Sequence, residues 1–207
     1  MTSWLHEERL RAVHDVVREC KAARLIDLGC GDGDLFVRLA AEASFEELVG
    51  VDLCQNSLER LRNRLNLVAP RVQRIELREA SMIDPPSDLG GYDCAILVET
   101  IEHIDPHRLS QLERALFRTM RPGIVVITTP NAEFNRLLGV PSRRMRHPDH
   151  RFEWDRARFR RWCQRVAGVA GYSVRFKDVA GRHPELGGAS QMAVFDRTEI
   201  SAGAKTA

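Results

Sequence analysis

The sequence predicts an α/β protein, an open and mostly parallel seven-stranded sheet with helices on both faces. Three observations predict it. Short apolar runs alternate with stretches whose apolar residues recur every three or four positions. The run 123–129 is apolar throughout, as a strand buried between two helix layers must be. The first run stops at Gly29-Cys-Gly-Asp-Gly33 and gives way to a helix, the place where a Rossmann-like sheet puts a ligand loop.

The elements follow in order. Leu10, Val13, Val16 and Val17 share one face of a helix over about 4–20. Residues 24–28 form the first strand, and Leu35, Phe36, Val37 and Leu39 continue past the glycines as a helix. A strand at 47–52 precedes a helix at 55–67, and a third strand falls at 72–77. A fourth strand spans 92–98, followed by a helix at 107–119 with Leu109, Leu112, Leu116 and Phe117 on one face. The fifth strand is 123–129. Residues 130–154 then break the pattern: rich in Arg, Asn, Pro and His, without a period, they read as an insertion at a strand's carboxyl end. A helix at 155–170 buries Phe159, Trp162, Cys163 and Val166, and strands at 173–179 and 189–196 close the sheet. This makes one domain over 1–197, with 198–207 a disordered tail.

Composition bounds the function. The 207 residues are 43% hydrophobic and 29% charged, which excludes a disordered chain and a disulfide-stapled miniature. Five cysteines, an odd number with no C-x-x-C, indicate a reduced compartment, and Cys54 and Cys94 read as small core residues. No apolar run reaches the length of a membrane span and the N-terminus lacks a signal peptide, so a cytoplasmic monomer with no membrane partner is expected. The net charge is only +2, yet 28 of the 31 basic residues are Arg. Ten of them crowd into 136–165 against Asp149, Glu153 and Asp155, so that this window carries +7 and the remainder −5. Arg suits phosphate, and Phe152 and Trp154 offer rings on which bases can stack. About half of the ten are expected to be the wet face of the 155–170 helix.

The glycine loop carries the first chemistry. Asp52 ends the second strand, placed to accept both hydroxyls of an adenosine ribose. The spacing is G-x-G-x-G, unlike a dinucleotide loop, and Asp32 and Asp34 at the helix start would repel a pyrophosphate. They suit a cofactor with a cationic end, such as S-adenosylmethionine. The loop Leu25-Ile-Asp-Leu-Gly-Cys-Gly-Asp-Gly33 with Asp52 resembles the first motifs of class I S-adenosylmethionine-dependent methyltransferases. The resemblance implies cofactor contacts at Asp27, Gly29, Cys30, Gly31, Asp52, Leu53, Ser81 and Met82.

The second chemistry lies after the fourth strand, in Val98-Glu-Thr-Ile-Glu-His103. In a helical turn, Glu99, Glu102 and His103 share a face and offer an O/N ligand set for Mn²⁺ or Mg²⁺. His147 and His150 each offer a fourth ligand, and spacing alone does not choose between them. Thr128-Thr-Pro-Asn131 and the run 147–154 follow in order. Together these motifs resemble the Hua-enhancer-type RNA 3′-terminal ribose 2′-O-methyltransferases, over at least 25–179. That resemblance implies a metal set of Glu99, Glu102, His103 and His150, with His147 beside it in the catalytic group. It implies substrate contacts at Thr129, Asn131, Arg146, His147 and Arg151, with Glu133 a further candidate. It further implies an RNA 3′-end as substrate and, from bacterial relatives, an RNA-repair kinase–phosphatase–ligase partner. Two alternatives stay open: a metal-dependent O-methyltransferase of small vicinal diols, and a non-catalytic RNA-binding module on the same fold. An NAD-dependent oxidoreductase is disfavoured by the glycine spacing.

Overall fold

The computed structural model describes residues 4–198; the expected tail, apart from Thr198, lies outside the described residues. Helix α1 (Trp4–Glu19) precedes β1 (Arg24–Leu28), α2 (Phe36–Ala40), β2 (Glu47–Asp52), α3 (Gln55–Leu67) and β3 (Arg74–Glu79). Then come β4 (Cys94–Val98), α4 (Leu109–Arg114), β5 (Ile124–Pro130), α5 (Arg156–Ala170), β6 (Tyr172–Val179) and β7 (Ser190–Arg197). The seven strands lie in the order β3-β2-β1-β4-β5-β7-β6. The pairs from β3 to β5 are parallel, and β7 runs antiparallel to β5 and β6.

The predicted class holds because alternate strand residues serve opposite layers. On one face Leu25, Ile96 and Val126 pack with Leu10, Val13, Phe36, Leu39, Leu58 and Leu61 from α1 to α3. On the other, Ile26, Leu97 and Ile127 pack with Leu112, Phe117, Phe159 and Trp162. Strand order reverses between β1 and β4, so the chain leaves their carboxyl ends in opposite directions and opens a crevice there. Both proposed chemistries sit at those two ends.

Most boundaries lie within two residues of the expected ones, and three differences have a physical reason. The third strand starts at Arg74 rather than 72, because an edge strand of mixed burial has a weak apolar period. The helix expected at 107–119 is a 3₁₀ turn at Pro106–Arg108, then α4, then a π-helical turn at Ala115–Met120. Arg121 closes that turn in the left-handed region, its N–H donating to Leu116 at 3.0 Å. The insertion is also more ordered than its composition suggested: it holds a 3₁₀ helix, Ala132–Leu138, and Asn131 bridges to Trp154. No helix among the described residues is long and apolar enough to cross a membrane.

The antiparallel hairpin is tied to the parallel half by Tyr172, whose buried hydroxyl donates to Pro122 at 2.6 Å. Removing it leaves a buried carbonyl without a donor, which costs about 1–2 kcal/mol. Tyr172→Phe should therefore lower the unfolding free energy by that amount in a urea titration. An unchanged midpoint would remove this bond from the account of the hairpin.

Candidate active site

The glycine loop is shaped by its neighbours. Gly29, Gly31 and Gly33 all have positive φ, a backbone that residues with a Cβ rarely adopt. The N–H groups of Gly29 and Cys30 donate to Val51 at 2.7 and 3.1 Å, which ties the loop to β2. A methyl on Gly33 would stand 2.2 Å from Leu61, and one on Gly29 2.5 Å from Thr100. Gly31 has nothing within 4 Å of that position, so its face is open. Asp52 is held by two N–H donors, from Gly31 and Cys54, each at 2.8 Å. Its remaining lone pairs stand at the end of β2. Leu53 beside it is 68% exposed, a large apolar side chain with no core to fill. Met82 lies next to Gly29 and Ser81 bridges to Asp84, so both line the same end of the sheet.

Charge in the loop is arranged differently from the sequence reading. Asp32 is gripped by Arg60 through two bonds of 2.9 Å. Asp34 is held by Arg64 at 2.6 Å and His6 at 3.0 Å. Both acids are therefore spent inside the chain and are not free to meet a cationic cofactor. The uncompensated carboxyl is Asp27, buried at the end of β1. Burial, with the Asp52 carboxylate nearby, pushes its pKa up to about 7. Cys30 is a core residue whose thiol burial pushes up.

The acidic cluster is built on a 3₁₀ turn, Ile101–His103, not on an α-helix. Glu99 precedes that turn with φ of +50°, and one of its oxygens is buried without a partner. Arg9 of α1 meets Glu99 at 3.4 Å, and Ser190 donates to it at 3.2 Å. Glu102 is fully buried; one oxygen accepts from Thr129 at 2.9 Å and the other has no partner. Burial and the adjacent Glu99 carboxylate hold its pKa well above the usual carboxylate range. Burial and the His150 imidazole push His103 down.

One ligand atom each from Glu102, His103 and His150 lie within 4.8 Å of one another. His150 is oriented from behind. Its Nδ1 lies 2.6 Å from Glu153, a carboxylate that can only accept, so Nε2 is left bare toward the cluster. Glu153 is itself fixed by the Arg146 N–H at 2.7 Å and the Asn135 amide at 2.6 Å. His147 is half-exposed at the rim, its ring centre 5.6 Å from that of His150. Arg151 donates its N–H to Glu102 at 2.7 Å, while its side chain lies exposed 3.9 Å from Asp105.

Several expected substrate contacts have structural duties instead. Thr129 is buried against Glu102. Asn131 is buried too, donating to Leu186 and Gly188 at 2.7 and 2.9 Å and accepting from Glu133. The Arg146 guanidinium donates to Asn135, Ala189 and Asn131. Glu133 pairs with Arg156 at 2.8 Å. Phe152 and Trp154, read as base platforms, are buried and stacked on each other at 4.2 Å. Burial and saturated polar groups, not residue type, decide these cases. The sequence reading missed Arg9, His6, Ser190 and Glu153, which reach the site from distant segments.

Known proteins resemble this chain in sequence and in fold. A family model described as a methyltransferase domain matches residues 2–170. The small RNA 2′-O-methyltransferase of Gallus gallus is 36% identical over 203 residues, which cover 92% of this chain and 53% of that one. The chain thus spans about half the length of this curated relative. The solved methyltransferase domain of bacterial CtHen1-C is 39% identical with a TM-score of 0.84, the match covering 94% of this chain and all of that one. A chain of the Pnkp1/Rnl/Hen1 RNA repair complex has a TM-score of 0.66 at 19% identity over 95% of this chain and 42% of its own, a likeness of fold alone.

The two inner glycines should separate on substitution. Gly33→Ala must displace Leu61 and should cost about 2–4 kcal/mol of stability. Gly31→Ala should cost only about 1 kcal/mol, yet weaken S-adenosylmethionine binding at least about 10-fold in calorimetry, because the methyl enters the open face. Equal donor affinity in Gly31→Ala and the parent would show that the loop does not meet the cofactor.

Asp27 sets a pH dependence. Its folded-state pKa lies above its ordinary value of 3.8, so the stability it contributes below about pH 4 is lost as pH rises through about 7. Asp27→Asn removes the titration. Relative to the parent it should gain up to about 4 kcal/mol above pH 7, a gain that fades toward pH 4. A gap in Tm that does not vary with pH would contradict the assignment.

Proposed function

We propose, from the premise that this chain belongs to the family of Hen1-type small RNA 2′-O-methyltransferases, that it methylates the 2′-hydroxyl of the 3′-terminal nucleotide of RNA, with S-adenosylmethionine as donor and a divalent cation at the acidic cluster. The observation that carries the reading is the buried Glu102 oxygen without a partner, beside His103 and a His150 whose Nε2 is left bare. A dry carboxylate oxygen and two imidazoles, backed by a hydrogen-bonded second carboxylate, fit Mn²⁺ or Mg²⁺. Such a cation supplies a lowered pKa and a fixed position for a ribose hydroxyl, an otherwise poor nucleophile at neutral pH.

The chain's own groups do the rest. Asp52, fixed by the N–H groups of Gly31 and Cys54, accepts the donor's ribose hydroxyls. Leu53 and Met82 flank its adenine, and the open face of Gly31 lets the donor lie against the loop. Thr100 touches Gly29 and sits between Glu99 and Glu102, so donor and acceptor sites share a wall. The O2′–methyl bond forms as the sulfonium–methyl bond breaks, its electron pair going to sulfur and leaving S-adenosylhomocysteine neutral. The hydroxyl proton passes to the half-exposed His147. Much of the rate comes from holding oxygen, methyl and sulfur in line. A terminal nucleotide alone has both vicinal hydroxyls free, which supports selection of the 3′-end over internal sites and 3′-phosphates.

The test uses labelled S-adenosylmethionine and a short RNA, with and without Mn²⁺. Parallel substrates carry a 2′-deoxy or a 3′-phosphate terminus, and catechol probes the small-diol alternative. Label should enter only the RNA with a free terminal diol, and only with the metal. Equal labelling of the 3′-phosphate RNA sinks the terminal-diol reading, and preferred labelling of catechol sinks the RNA reading. Glu153→Gln keeps the shape behind His150 but not its charge. It should weaken Mn²⁺ binding about 10–100-fold in calorimetry. Unchanged binding would detach His150 from the metal.

A further inference from the structure

The ten-arginine window singled out in the sequence does not act as one patch. Arg146 and Arg156 are tied into the fold, Arg136 and Arg151 make loose ion pairs, and Arg160 lies over Phe176. Arg143 and Arg144 are exposed in the insertion, and the remaining three, Arg158, Arg161 and Arg165, line a groove between α4 with its π-helical extension and α5. Its upper part is an open cleft of about 750 Å³ lined by His107, Arg158, Arg161 and Arg165. Its lower part, about 240 Å³, adds Arg114 and Arg118 from the opposite wall and shares Ser110, Glu113 and Arg165 with the upper. The only acid along both is Glu113, already gripped by Arg165 at 2.6 Å and by the Trp162 indole at 2.8 Å. Arg114, Arg118 and Arg161 have no hydrogen-bond or ion-pair partner among the described residues.

The groove starts at the active site. Its upper lip is Pro106 and Trp154, three residues past His103 and four past His150. Helix α5 then runs away from the carboxyl edge of the sheet, since Tyr172 just after it bonds to Pro122, ahead of β5. From Arg158 to Arg165 it descends about 10 Å. Resting on the reading above, we infer that this groove carries the phosphodiester backbone of the RNA away from the terminal ribose. Arg114 and Arg118 form one wall and Arg161 the other, beside Arg158 over the Trp154 ring and Arg165 on Glu113. Guanidinium forks on both walls suit a chain of phosphates and read no sequence. A protein partner is less well served, because the rings that would anchor one, Trp154 and Trp162, are buried.

The experiment measures binding of a fluorescent single-stranded RNA of about ten nucleotides by anisotropy across a salt series. It uses the full chain, the pair Arg118→Ala/Arg161→Ala, and the pair Arg118→Lys/Arg161→Lys. The alanine pair should bind about 10-fold or more weakly at low salt, and the slope of log affinity on log salt should fall by about 1.4, two contacts at about 0.7 each. The lysine pair should keep the slope. Tm and S-adenosylmethionine affinity, measured alongside, should match the parent and so report that the fold is intact. A slope unchanged in the alanine pair, with RNA bound within about twofold of the parent, overturns the groove and leaves it to an acidic protein face. If in that case the parent still methylates RNA, the reading of the activity stands and only the groove falls. A parent that neither binds nor methylates RNA overturns both.

Discussion

Two carboxylates share the end of β4, and the site is organised around making that tolerable. Like charges at this range raise each other's pKa, and removing them from water costs several kcal/mol each. Glu99 has one oxygen on Arg9 and Ser190 and the other buried and unmet. Glu102 is left dry with one oxygen on Thr129 and one unmet. Each compensation recruits a different part of the chain. Arg9 ties α1, which packs through Leu10, Val13, Val16 and Val17, to this edge, and Ser190 stands at the start of β7. Thr129 extends β5 past the hydrophobic core. The insertion is folded back by Asn131 and Arg146 so that His150 and Glu153 arrive from the remaining side.

The same edge explains how the two halves of the chemistry stay in register. β1 and β4 pair directly, so the glycine loop and the acidic turn are neighbours by topology. Gly29 has no room for a side chain because Thr100, within the acidic turn, occupies it. A further chain of contacts joins the halves across α1. Asp34 of the loop meets His6, His6 lies 3.4 Å from Arg9, and Arg9 meets Glu99. The donor loop and the acceptor cluster are therefore positioned by common residues rather than by two independent supports.

What the sequence revealed and what it hid follow the range of the interactions. Strand number, layer order and the glycine loop were legible because they rest on local period and on glycine spacing. Glu102 and His103 were legible as residue types at the end of the fourth strand, whereas spacing left His147 and His150 open and only the family resemblance favoured His150. Glu99 was legible as an acid, but its left-handed backbone and its Arg9 and Ser190 partners were not. The partners of Thr129, Asn131 and Arg146 were not legible, because most of them lie 11 to 57 residues away. Arg9, 90 residues from Glu99, gives no local sign of its duty.

Charge was the least legible property, for a physical reason. An arginine's role depends on what its guanidinium finds after folding, and the crowded 136–165 window supplies much of its own neutralisation. Arg114 and Arg118 lie outside that window, on the helix that follows the fourth strand. Folding sets them opposite α5, where Glu113, the nearby acid, is already committed. The local excess of positive charge that can act on a polyanion is therefore made by two helices brought together on one face of the sheet. A substrate strand that left the acidic cluster along this groove would meet Arg161 on one side and Arg114 and Arg118 on the other.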